Sequence, residues 1–235
     1  MQVISFFTAK GGTGKTTFNM LLASYLKYQL GKRVGLFDFD APEYNLSFCR
    51  QRELEFLRSQ GGEVDEGQFF PIMTVKDLSD ENLNRIARQI PSLETNFDYL
   101  VMDFKGSLQK GDPVTIMTQC RVLNKVVIPV ELDPMIIASM KSLAYTFKTH
   151  GQDVMLFFNR VHGKENPRQY DAVRSWFEEK GCHVARAQVK NSIGMKREQG
   201  EQENFLRSCV SFQEKNIRKV NPGIISLFNE LLEYG

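Results

Sequence analysis

Cysteine is scarce in this chain, and its spacing excludes the common metal and redox motifs. The 235 residues contain four cysteines, and no two of them form a CxxC pair: Cys49, Cys120, Cys182 and Cys209. No histidine stands at metal-ligand spacing from them, which argues against a zinc site or an iron–sulfur cluster. We therefore interpret them as reduced, mostly buried thiols of a cytoplasmic protein.

Long apolar runs and a strong charge of one sign are also missing. No apolar stretch approaches the ~18 residues that a membrane-spanning helix requires, so the sequence predicts no transmembrane segment. The apolar residues 1–7 lack the basic residues that open a signal peptide, and they predict a strand instead. Lys and Arg total 30 against 28 Asp and Glu, and a net charge of +2 identifies no partner.

The chain does contain a regular alternation of short β-rich runs and amphipathic segments. Strands are predicted at 3–8, 33–37, 99–102, 125–130, 154–158 and 182–187. Helices are predicted at 16–30, 45–59, 80–90, 134–149, 167–180 and 224–232, with a loop at 61–73 and polar helical stretches within 191–219. This alternation is typical of a parallel sheet with crossover helices. We expect one α/β domain over residues 1–235, with a doubly wound, mostly parallel sheet flanked by helices.

The strongest motif is KGGTGKTT at residues 10–17, between the first predicted strand and the first predicted helix. Residues without a Cβ let successive backbone N–H groups point at phosphate oxygens, and the helix N-terminus behind them favours an anion. Lys15 stands where a P-loop lysine reaches the β- and γ-phosphates, and Thr16 where a hydroxyl binds Mg²⁺. The predicted nucleotide-binding residues of this loop are Gly11, Gly12, Thr13, Gly14, Lys15, Thr16 and Thr17.

Three aspartates stand at the ends of predicted strands, which is where ligands of open α/β sheets bind. Asp38 and Asp40 follow the strand at 33–37, and Asp103 follows the strand at 99–102. Phosphoryl transfer needs Mg²⁺ near the β- and γ-phosphates and a water in line with the transferred group. These carboxylates suit both tasks, and together with the loop they predict ATP and Mg²⁺ as the cofactors.

The glycine loop differs from the commonest P-loop, because Ala9 stands where the first glycine is expected and Lys10 follows it. It resembles the deviant Walker A motif, KGGxGK[ST], of the ParA/MinD family of P-loop ATPases. The resemblance implies that Lys10 reaches the partner's phosphates across a nucleotide-sandwich homodimer. Lys10 and Lys15 would then both be catalytic, since a cation neutralises charge on the transferring phosphoryl group.

Residues 37–46, FDFDAPEYNL, are similar to the switch I segment of that family. The resemblance assigns Asp40 to the attacking water, as a catalytic residue, and Asp38 to the metal shell. The pattern alone leaves the division of roles between these two aspartates open. The resemblance also places Asn45 near the γ-phosphate.

Asp103 resembles the Walker B aspartate, which would hold Mg²⁺ through water and complete a metal site with Thr16 and Asp38. The family usually continues Thr-Pro-Pro, whereas this chain continues Phe104-Lys105-Gly106-Ser107, so Lys105 adds a positive charge in the switch II region.

Asn159 stands at the end of a predicted strand, where an asparagine of the family often hydrogen-bonds to the edge of the adenine base. An amide suits this role because it can both donate and accept. A turn-forming asparagine is the alternative for that position.

The resemblance implies a weak, partner-stimulated ATP hydrolase, closest to ParA-type partition ATPases that lack an N-terminal DNA-reading domain. Its ATP-state homodimer would switch the partition of plasmid, chromosome or mobile-element DNA, with a ParB-like or other activating protein and a cytoplasmic, nucleoid-associated location. Non-specific DNA contact needs only positive charge, and the candidates are Arg186, Lys190, Lys196, Arg197, Arg207, Lys215, Arg218 and Lys219. The alternatives are a MinD-like ATPase that positions a membrane or protein cargo, and a nucleotide-binding regulatory protein with little turnover.

Overall fold

The computed structural model describes residues 1–8, 10–59, 61, 63–106, 108–163, 165–191 and 221–234. A seven-stranded sheet runs through it, formed by β1 (Gln2–Phe6), β2 (Val34–Phe39), β3 (Ile72–Thr74), β4 (Tyr99–Phe104), β5 (Lys125–Val130), β6 (Asp153–Val161) and β7 (His183–Lys190). The spatial order is β3-β2-β4-β1-β5-β6-β7, and every neighbouring pair is parallel.

Helices connect these strands, and several begin at a side-chain cap. They are α1 (Lys15–Ser24), α2 (Asn45–Ser59), α3 (Asp80–Gln89), α4 (Pro113–Gln119), α5 (Pro134–Thr149), α6 (Pro167–Glu179) and α7 (Pro222–Glu233). Asp133 caps α5 by accepting from the backbone N–H groups of Met135 and Ile136, and Asn166 caps α6. Such caps satisfy N–H groups that have no partner inside the helix.

Buried apolar residues form a core on each face of the sheet. One core packs α3, α4, α5 and α6 against the strands, and the other packs α1 and α7. Because both faces are covered, the strands read as nearly continuous apolar runs. The doubly wound α/β architecture expected from the alternation is confirmed, and the described sheet is entirely parallel.

The structure corrects several boundaries. The predicted loop at 61–73 runs into the edge strand β3, which is only three residues long and gives little periodic signal. β2 and β4 continue to Phe39 and Phe104, so Asp38 and Asp103 lie inside strands and not after them. α4 has no counterpart among the predicted helices. The helix predicted at 16–30 ends its regular part at Ser24 and continues as a π-helical turn, Tyr25–Gln29.

The prediction of mostly buried cysteines is wrong for the described residues. Cys182 is buried, Cys49 is partly exposed and Cys120 is exposed. Cys209 lies outside the described residues, as does all but residue 191 of the segment 191–219 in which helical stretches are predicted. Among the helices that the structure describes, none has the length and apolar character to cross a membrane.

Candidate functional site

The glycine loop turns the chain from β1 into the N-terminus of α1. Gly12 and Gly14 have φ angles of 73° and 91°, a left-handed conformation that glycine adopts without strain. A Cβ at Gly14 would also lie 3.3 Å from the Phe18 ring. The loop therefore requires glycine at these positions, and its backbone precedes the N-terminal N–H groups of α1, where an anion is favoured.

Hydrogen bonds inside the loop converge on the backbone carbonyl of Lys10. The Thr8 hydroxyl donates to that carbonyl at 2.9 Å, and the Lys15 ammonium donates to it at 3.3 Å. The hydroxyls of Thr8 and Thr13 lie 2.8 Å apart. These bonds fix the backbone from which the exposed Lys10 side chain projects. Sequence reasoning missed Thr8, whose only signal is a polar residue after an apolar strand.

Thr16 and Asp103 lie together beneath the loop. The Thr16 hydroxyl donates to Asp103 Oδ2 at 2.8 Å, and Asn19 Nδ2 donates to Asp103 Oδ1 at 2.7 Å. Asp103 has no exposed area, and burial raises its pKa to about 7 against the opposing effect of these two donors. Asn19 was missed by sequence reasoning, although an asparagine on the apolar face of α1 is itself a signal.

Asp38 is the neighbour of Asp103 across the β2–β4 pairing and is also fully buried. Its carboxylate accepts from the backbone N–H of Ser47 at 3.1 Å, from the Ser47 hydroxyl at 3.0 Å and from the backbone N–H of Asp40 at 3.2 Å. Burial raises the pKa of Asp38 in spite of these bonds. Burial also lowers the pKa of Lys15, which Asp103 and Asp40 oppose.

Asp40 lies in the loop between β2 and α2, and Asn45 is the first residue of α2. Asn45 Nδ2 donates to Asp40 Oδ2 at 2.7 Å, and both side chains line the cavity beside the glycine loop. Asp38 instead points into the protein interior toward Ser47. The two aspartates of the DxD motif therefore have different environments, one facing the cavity and one buried.

A cavity of about 920 Å³ gathers most of the predicted site residues. Its walls come from the glycine loop and the start of α1 (11–18), from Asp40, Glu43 and Asn45 after β2, and from the C-terminal ends of β4, β6 and β7 (104–106, 159–160 and 189–191). This volume lies within the range of roughly 300–1,000 Å³ that is usual for small-molecule sites. Lys10 stands beside this wall, and Asp38 and Asp103 lie below it.

Asn159 and Arg160 tie β6 to the glycine loop. Asn159 is 7% exposed, and its Nδ2 donates to the backbone carbonyl of Thr13 at 3.1 Å. Arg160 donates to the carbonyl of Gly12 and pairs with Glu131 at 3.0 Å. Asn159 thus lines the cavity as expected, while its amide N–H₂ holds the loop. Arg160 was missed, because no motif marks it.

A divalent metal would need ligands beyond the protein carboxylates. Among the residues that the structure describes, no three His, Cys, Asp or Glu side chains are grouped to hold a metal ion. The Thr16 hydroxyl, with a buried carboxylate on its far side, instead suits a cation that takes its remaining ligands from phosphate oxygens and water. The site therefore fits a metal–nucleotide pair better than a free metal.

Comparison with known proteins identifies a family for this arrangement. The model of the "CobQ/CobB/MinD/ParA nucleotide binding domain" family matches residues 4–197. No curated protein matches the sequence.

Solved structures share the fold at low sequence identity. The MinC:MinD cell division protein complex of Aquifex aeolicus aligns with a TM-score of 0.70 and 18% identity over 100% of this chain and 97% of that chain. A "putative plasmid partition protein" of Borrelia burgdorferi B31 bound to AMPPNP aligns with a TM-score of 0.65 and 16% identity over 97% of this chain and 98% of that chain. The ParA of pNOB8 bound to nonspecific DNA gives 0.54 and 18% over 79% of each chain. At these identities the structures establish the fold alone.

Proposed function

The chain belongs to the family of CobQ/CobB/MinD/ParA nucleotide-binding domains, and from that premise we propose that it is a ParA-like ATPase. It binds ATP with Mg²⁺, forms a homodimer in the ATP state and hydrolyses ATP slowly. The dimer acts as a switch for the partition of plasmid, chromosome or mobile-element DNA. The observation that carries this proposal is the pairing of Thr16 with the buried Asp103 directly beneath the glycine loop.

In this proposal the glycine loop binds the phosphate groups of the nucleotide. The N–H groups of the loop and of the first turn of α1 bind phosphate oxygens, and Lys15 binds the β- and γ-phosphates. Thr16 holds Mg²⁺, and Asp103 and Asp38 supply negative charge below it. When bound, Mg²⁺ neutralises charge that develops on the phosphate oxygens. Asn159 lines the same cavity, and we assign it to the adenine edge.

Asp40 positions the attacking water in this proposal. It lines the cavity, whereas Asp38 is buried and already accepts three hydrogen bonds. Asn45 holds one Asp40 oxygen at 2.7 Å, which fixes the carboxylate and leaves its other oxygen for a water. This contrast favours Asp40 over Asp38 for the water.

Lys10 is the residue proposed to act in the partner subunit. Its backbone is held by Thr8 and Lys15, while its side chain is exposed. A lysine that faces outward beside a phosphate site can reach a second copy of the site. ATP would then hold the dimer together, and hydrolysis would release it.

DNA is the cargo that we favour. Arg186 and Lys190 are exposed on the sheet-edge strand β7, while the other six basic candidates lie outside the described residues. The MinD-like alternative would use the C-terminal helix on a membrane. Five apolar residues of α7 have no exposed area and pack on the sheet: Ile224, Ile225, Leu227, Phe228 and Leu231. Lys125 also donates to the carbonyl of Leu231 at 2.9 Å. A docked α7 offers no apolar face to lipid, so DNA is preferred.

The experiment is duplex-DNA binding by the purified protein with ADP, with ATP and with ATP at raised salt. We expect binding only with ATP, without sequence preference, and lost at high salt because phosphate contacts release counterions. Lys15→Ala is the matched control and should bind no DNA in any condition. Absence of DNA binding by a protein that still dimerises with ATP would refute the DNA cargo and favour a membrane or protein cargo.

We also propose that residues 1–235 form one domain. We expect the protein to lie in the cytoplasm, and at the nucleoid when DNA is bound.

A further inference from the structure

Lys105 places a positive charge on the wall of the candidate nucleotide cavity. It follows β4 directly, two residues after Asp103, and lines the cavity with Lys15 and Asp40. β4 pairs with β2 as far as Phe104, the residue that precedes Lys105. The sheet therefore holds the backbone up to Lys105, on the wall of the cavity that Thr16 also lines.

The ammonium of Lys105 has one carboxylate partner in the structure. Its Nζ lies 3.8 Å from Glu43 Oε2, and the two side chains are 58% and 52% exposed. Ion pairs this exposed contribute little, because water screens them and ordering two long side chains costs entropy. Glu43 belongs to the loop between β2 and α2 that also carries Asp40, so this weak pair joins two segments of the cavity wall.

A bound triphosphate would compete with Glu43 for this lysine. The terminal phosphate carries more negative charge than one carboxylate and has several acceptor oxygens, and lysine binds phosphate as a flexible point charge. Lys15 already has the charges of Asp103 and Asp40 acting on it. Lys105, as a second cation on the cavity wall, can therefore neutralise part of the negative charge that a third phosphate adds.

We propose that Lys105 is a nucleotide-binding residue that exchanges Glu43 for an oxygen of the terminal phosphate, so that the site prefers a nucleoside triphosphate over a diphosphate. This inference rests on the proposed nucleotide site.

The test measures the Kd values of AMPPNP and ADP with MgCl₂ by calorimetry, at protein concentrations where light scattering gives a monomer. Lys105→Gln should weaken AMPPNP binding by about tenfold, the effect of one lost charge-assisted hydrogen bond, while ADP binding changes less than about twofold. Glu43→Gln should bind AMPPNP at least as tightly as the wild type, because the competing carboxylate charge is gone. Lys32→Gln, an exposed lysine before β2 at the opposite end of the sheet, is the matched control.

Each other outcome has a distinct meaning. Equal weakening of both nucleotides, or of neither, would overturn the role of Lys105 and leave the proposed ATPase intact. If Glu43→Gln weakens AMPPNP binding as much as Lys105→Gln does, the ion pair itself matters and the exchange is wrong. A wild-type protein that binds neither nucleotide would overturn this inference and the proposed function together.

Discussion

The buried carboxylate of Asp103 makes a specific prediction about stability and pH. Burial raises its pKa from an ordinary 3.8 to about 7, so the folded state binds more protons than the unfolded state between these values. The contribution of this group to stability is therefore greatest at low pH and is lost as the pH rises through this window. At about 1.36 kcal/mol per pKa unit, the loss totals about 4 kcal/mol, of which roughly 3 kcal/mol falls between pH 5 and pH 8.

Asp103→Asn should remove this loss. The amide oxygen can still accept from Asn19, and the amide nitrogen can donate to the Thr16 hydroxyl, which both donates and accepts. Urea denaturation with a chelator at pH 5, 6, 7 and 8 measures the free energy of unfolding. We expect the wild type to lose roughly 3 kcal/mol more than Asp103→Asn over that range. The raised pKa of Asp38 lowers the free energy of unfolding of both proteins as the pH rises, so it does not affect the difference between them.

Asp171→Asn is the matched control, because Asp171 is exposed on α6 and should leave the wild-type slope unchanged. Parallel pH profiles for the wild type and Asp103→Asn would refute the reasoning. They would mean that ionising Asp103 in the folded protein costs no free energy, so its burial would create no destabilised negative charge that a bound cation could stabilise.

Two further predictions concern the cavity. Lys15→Ala should abolish ATP and ADP binding in calorimetry, since it removes the cation that faces the phosphates; retained affinity would contradict the P-loop assignment. Asp40→Ala should bind ATP and dimerise but reduce hydrolysis by about 10²-fold or more, as loss of the water-positioning group implies. Wild-type phosphate release by that variant would transfer the role to Asp38.

The parts of the fold that the sequence predicts well are those where local pattern and packing agree. β5 and α5 match their predicted bounds, because a continuous apolar run and a proline at the first helical turn mark them clearly. The edge strand β3 was missed, since three partly exposed residues carry no period. The ends of β2 and β4 were missed because an aspartate normally signals the end of a strand.

The residues of the candidate site likewise divide into those that the local sequence predicts and those that it does not. The glycine loop could be predicted because its backbone geometry requires glycine and its chemistry requires Lys15 and Thr16. The partners of Asn19 and Arg160 could not, because their contacts join residues that only the folded sheet brings together. Thr8 contacts Lys10 and Thr13 of its own loop, and no motif marks it. Asn19, for example, meets Asp103 across 84 positions in the chain. The predicted site roles themselves stay predictions until the variants are measured.

The most direct test of the proposed switch is the mass of the protein in solution by size exclusion with light scattering. With Mg²⁺ we expect a dimer in AMPPNP and a monomer in ADP. Lys10→Ala should bind AMPPNP and stay a monomer, while Lys32→Gln should dimerise like the wild type. A wild-type protein that is monomeric in both nucleotides, or a Lys10→Ala variant that dimerises normally, would contradict the nucleotide-held dimer.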